Sequence, residues 1–106
     1  MKNTPSYELA SDAERDLEEI AAYTASKWGA VQAVRYGAAL DAHFEGIGQG
    51  NVRTRNFLNH RPELRVSRVE HHYVFHLARQ SRRPLILAVF HENMDLIARI
   101  GSRLDG

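Results

Sequence analysis

Six histidines and no cysteine bound the chemistry open to this 106-residue chain. Without thiols there is no disulfide framework, no sulfur nucleophile and no zinc–sulfur centre. A metal site would need histidines and carboxylates. His72 and His76 are four apart in a strand-like segment, so at about 3.3 Å per residue they stand roughly 13 Å apart and cannot share an ion. His76 and His91 would face each other on paired strands, but no third ligand accompanies them. His91-Glu92 runs into Asn93-Met94-Asp95, which is not a His-Glu-x-x-His helix. No metal and no cofactor is expected.

The arginines are the second candidate chemistry. Residues 1–50 carry four Lys/Arg against eight Asp/Glu, a balance of −4, while residues 51–106 carry ten arginines, no lysine and five acids, a balance of +5. Planar guanidinium groups in a β-rich half fit recognition of carboxylate, phosphate or an acidic partner. An ordinary solvated, charged face is the alternative.

These side chains need elements to hold them. Tyr7-Glu8-Leu9 alternates like a short edge strand. Ser11-Asp12-Ala13-Glu14 has the form of a capping box, with acids in the first turn of a helix. Ala13, Leu17, Ile20, Ala21, Thr24 and Trp28 keep helical spacing, and Gly29 ends the helix. Ala33, Tyr36, Gly37, Leu40, Phe44 and Ile47 give a second stripe, so the short link forces an antiparallel hairpin, with Ala33 and Gly37 letting the backbones approach. Gly46, Gly48 and Gly50 close it, and Asn51–Pro62 reads as a connector.

From Leu64 the period becomes extended. Leu64–Glu70, Tyr73–Arg79 and Pro84–His91 read as an antiparallel meander, the last two strands apolar on both faces and therefore central. Asn93 is placed to cap a final helix with Met94, Ile97, Ile100 and Leu104 on one side. The expected order is β-α-α-β-β-β-α, a single α+β domain over residues 1–106 with the hairpin packed on a small antiparallel sheet. No apolar run reaches the roughly 20 residues of a membrane span, and the first residues lack a signal core, so a cytoplasmic protein away from membranes is expected.

In that order, the segments Tyr7–Thr24, Trp28-Gly29, Ala33 through Tyr36 to Leu40, Leu64–Val69 and Ile86–Leu96, with its His-x-x-Met-Asp ending, resemble ParE-like toxins of the RelE/ParE superfamily of type II toxin–antitoxin systems. The resemblance spans nearly the whole chain. It implies a toxin that inhibits DNA gyrase, is neutralised by a ParD-like antitoxin, and meets operator DNA only through that antitoxin.

On this reading, Arg65, Arg68, Arg79, Arg82 and Arg83 form the seat of an acidic antitoxin tail. Met94, Asp95, Arg99 and Arg103 form the target surface, since the C-terminal element is implicated in toxicity in such toxins. Structural roles are the alternative: Met94 filling the core, Asp95 stabilising the helix start and Trp28 buried at the hairpin tip.

The sister RelE branch cleaves messenger RNA. That reaction would use Arg65 and Arg68, with Arg61, as cations and His76, His60 or Tyr73 as proton carriers. Against it, the chain lacks a basic cluster followed by a C-terminal tyrosine. A non-toxic co-repressor partner is the third reading.

Overall fold

The computed structural model describes residues 4–105. Strand β1 (Glu8–Leu9) leads into helix α1 (Ser11–Trp28), and helix α2 (Ala30–Gly48) returns antiparallel to it. Strands β2 (Arg55–Asn56), β3 (Leu64–Val69), β4 (His72–Leu77) and β5 (Leu85–His91) follow, and helix α3 (Leu96–Asp105) ends the chain. The five strands form one sheet in the order β1-β5-β4-β3-β2. The α+β order expected from the sequence holds, with β4 and β5 inside the sheet. Two features extend it. β1 runs parallel to β5, so the sheet is mixed, and the connector contributes β2 on the far edge, antiparallel to β3.

One residue joins the helices. Gly29 has φ +98°, a conformation that costs a side-chain-bearing residue steric strain. Its amide closes the last turn of α1 on Ala25, and its carbonyl accepts the Ala33 amide that opens α2. The expected capping box at Ser11 does not form. Ala10 is the cap, bound to Ile86 at the end of β1, and its carbonyl takes the Glu14 amide. Ser11 already lies inside the first turn, so its hydroxyl is past the capping position. Gly37 does not mark a close approach either: an added Cβ there would meet nothing within 4 Å. Backbones close up at Gly48 instead, against Ser6.

Strand alternation splits the core between the two sheet faces. Ala13, Leu40, Phe44, Ile47, Val74, Ile86 and Val89 pack under the hairpin. Leu64, Val66, Phe75, Ala88, Phe90 and Ile100 pack on the other face, beneath α3 and the connector residues Phe57 and Leu58.

The last helix starts later than its apolar pattern indicates. Asn93 does not cap it. Asp95 does, its carboxylate accepting the Ala98 amide at 3.3 Å, while the Asn93 amide turns back to His91 Nδ1. The shift rotates the buried face to Leu96, Ile100 and Leu104. Ile97 is left 69 % exposed and Met94 40 % exposed. Trp28 is also outside, at 66 %.

Beyond two-residue β1, the outer edge of β5 has no neighbouring strand among the described residues. β5 bulges at Leu87, which has no partner on β4 because Phe75 pairs with Ala88 and His76 with Ile86. Arg103 donates to the freed Leu87 carbonyl at 2.8 Å, and Asp16 accepts the Val89 amide at 3.0 Å. The same two side chains form a two-pronged ion pair at 3.0 and 3.1 Å. Two helices thus complete the strand's hydrogen bonding and are locked together by it.

A candidate partner groove along the edge of β5

Next to this pair, an open groove of about 970 Å³ runs along the β5 edge. α1 and the start of α2 form one wall, and the β5–α3 corner and α3 form the other; the β3–β4 turn closes one end. Tyr23 and Trp28, five apart near the end of α1, stand 61 % and 66 % exposed, with Lys27 Nζ within 6 Å of both rings (5.9 and 5.8 Å). Met94 reaches in from the opposite wall. Large apolar side chains left in water at a concave site are the usual signature of a surface that binds another molecule.

Polar groups at the closed end are arranged in register. His72 pairs across strands with His91, their rings edge to face at 5.2 Å. Tyr36 Oη lies 2.6 Å from His72 Nδ1, which ties α2 to the sheet. Burial, aided by the neighbouring His91 and His71, pushes the His72 pKa down to about 4. Burial raises that of Tyr36. Glu92 accepts from His71 at 3.0 Å and from Arg68, contacts that hold its carboxyl below the usual range.

The sequence-expected residues fall in four places. Arg79, Arg82 and Arg83 gather around Glu8 at the β4–β5 turn, at 3.2, 3.6 and 3.2 Å. Arg68 is beside the β3–β4 turn, stacked over Tyr73 and bound to Glu92, roughly 20 Å along the strands at about 3.3 Å per residue. Arg65 pairs with the β2 edge through Thr54 and Asn56. The five arginines therefore do not form one seat. Of the expected target residues, Met94 and Arg99 line the groove, Asp95 caps α3 and Arg103 belongs to the Asp16 pair.

The ribonuclease set is not brought together either. Arg65 lies opposite His76 in the β3–β4 register, while Arg68, three residues on, points to the other face. His76 is 5 % exposed beneath α2, its Nδ1 without a hydrogen-bond partner among the described residues. Burial, with Arg65 and His43 nearby, lowers its pKa to about 4. A buried neutral imidazole does not reach a ribose. His76 and His91, expected to face each other, do not, because the β4–β5 register sets His91 opposite His72 and His76 opposite Ile86. No three His, Asp or Glu side chains gather as metal ligands among the described residues.

Tyr23, Tyr36, His72 and His91 were not among the expected site residues. Tyr23 and Trp28 share one end of a helix, a visible signal, but the His72–His91 pairing depends on strand register.

The sequence model of the family "ParE toxin of type II toxin-antitoxin system, parDE" matches residues 7–96. The chain belongs to the ParE toxin family. It is similar to Toxin ParE of Escherichia coli, 41 % identical over 100 residues, covering 94 % of this chain and 97 % of that protein. The ParE match starts at Tyr7, before β1, and ends at Leu96, the first residue of α3, so it takes in the sheet, the hairpin and nearly the whole groove. No helix among the described residues is long and apolar enough to cross a membrane.

Proposed function

We propose that this ParE-family toxin inhibits DNA gyrase by binding and is neutralised by a ParD-like antitoxin that occupies the β5-edge groove. One observation carries the reading: the exposed Tyr23, Trp28 and Met94 around a groove whose Asp16–Arg103 pair is already internally satisfied. Such a surface offers apolar area to another protein and no acid–base pair aimed at a small substrate. Inhibition by binding needs no catalytic group, only a surface that holds the target enzyme in one conformation.

The arginine trio around Glu8 leaves an excess of positive charge at the opposite sheet end, a place for acidic antitoxin residues outside the groove. The outer side of α3, with exposed Ile97, is the gyrase-facing surface in this proposal.

The test is a supercoiling and cleavage-complex assay with purified gyrase and relaxed plasmid, with and without antitoxin. The expected result is lost supercoiling or accumulated linear DNA, reversed by antitoxin. No effect at large excess of toxin overturns the gyrase assignment and leaves the antitoxin assignment to direct titration.

A further inference from the structure

Two imidazoles at the closed end of the groove each keep one nitrogen free. Tyr36 Oη accepts the His71 amide at 3.3 Å and has its own hydrogen to give to His72 Nδ1. With Tyr36 assigned as the donor of this pair, His72 is the Nε2–H tautomer. The Asn93 amide donates to His91 Nδ1 at 3.1 Å, which fixes the same tautomer there. Neither Nε2–H has a partner among the described residues, and neither is sealed off, since His76 Nδ1 is the one enclosed unpartnered side-chain atom among them. Both rings line the groove.

Two carboxylates beside these rings are already engaged. Asp16 is held by Arg103 and the Val89 amide, and Glu92 by His71 and Arg68. Arg99, on the same groove wall, has no ion-pair partner among the described residues. The corner therefore offers unpartnered hydrogen-bond donors between the exposed apolar faces of Trp28 and Met94.

We infer that His72 and His91 are the polar anchor of the groove, and that the antitoxin segment seated there lays one carboxylate on their Nε2–H groups and apolar side chains on Trp28 and Met94. The inference rests on the antitoxin reading above and adds the recognition chemistry. A run of acids does not fit, because Glu19 and Glu70 also line the groove and would repel it. The occupant is an amphipathic segment with a single acid between apolar residues. A lost hydrogen bond of this kind weakens binding by about tenfold.

Paired substitutions separate this anchoring from a merely structural role. Asparagine places its amide where Nδ1 was, and glutamine reaches the Nε2 position. Purified cognate antitoxin is titrated calorimetrically into the wild type and into His72→Asn, His72→Gln, His91→Asn, His91→Gln and Arg99→Gln, with thermal melts of each. The inference expects about tenfold weaker binding for each Asn variant at an unchanged melting temperature, near wild-type binding for the Gln variants, and a weakened Arg99→Gln. The reverse order, or equal affinity for all four histidine variants while the wild type binds, overturns the anchor alone. Unchanged binding by Arg99→Gln overturns the carboxylate. No binding by the wild type overturns both the anchor and the antitoxin reading.

Discussion

Asp16 and Arg103 sit 87 residues apart in the chain, yet each supplies what the short β1 leaves out along β5. Their side chains are 13 % and 19 % exposed, so removing one leaves a poorly solvated charge as well as an open strand edge. Asp16→Ala is expected to cost about 3 kcal/mol in urea denaturation, the range for breaking such a pair, and to lower the melting temperature by about 15 °C. His76 makes a second prediction at this scale. Its pKa falls from the ordinary 6.5 to about 4 on folding, so the unfolded chain binds a proton that the folded one excludes. The His76 contribution is fully present above pH 6.5 and fades as pH drops toward 4, by on the order of 3 kcal/mol. His76→Leu should flatten a plot of stability against pH across that window, although lowered pKa values at His72 and His43 leave some slope. An unchanged slope would show that the imidazole is not held neutral.

At the scale of elements, α2 is fitted unequally along its length. At Gly48 a Cβ would collide with the backbone oxygen and side chain of Ser6, whose hydroxyl bonds Glu45 at 2.7 Å. At Gly37 the hairpin leaves a cavity of about 200 Å³ lined by Ala33, Leu17 and Leu40. Gly48→Ala is therefore expected to lose about 2 kcal/mol by overpacking, and Gly37→Ala to gain about 1 kcal/mol by restricting the unfolded chain and favouring helix. Chemical denaturation of the two variants side by side reads both signs. The periodicity placed Gly37 on this helix and read Gly48 as one of the glycines ending it, but not these opposite settings, which depend on what the folded chain puts beside each.

For the whole molecule, α3 is structural on one side and free on the other. Ile100 is fully buried in the core beneath it, and Arg103 holds α1. Deleting the chain after Met94 would open that core, so loss of toxicity in the deletion would not locate a target surface. Ile97→Glu tests the surface without that defect. Its stability should stay within about 0.5 kcal/mol of the wild type, its antitoxin affinity should be retained, and gyrase inhibition should be lost in the supercoiling assay. Full inhibition by a folded Ile97→Glu would move the gyrase-facing surface elsewhere on the toxin.

Sequence alone determined the order of elements, because the apolar spacing changes from helical to extended at Leu64 and the two doubly apolar strands could only lie inside a sheet. It determined the family as well, through segments spread from Tyr7 to Leu96 that keep this order. Tertiary structure decided which residues meet. The β4–β5 register paired His72, not His76, with His91, and a helix start at Leu96 turned Met94 and Ile97 outward. Register and helix phase each move a side chain to another face with a shift of a single residue, and local spacing does not specify such a shift. The arginines show the same limit. Their number in the second half is a property of the sequence, but their division among Glu8, Glu92, Thr54 and Asp16 follows from where distant strands and helices place the acceptors.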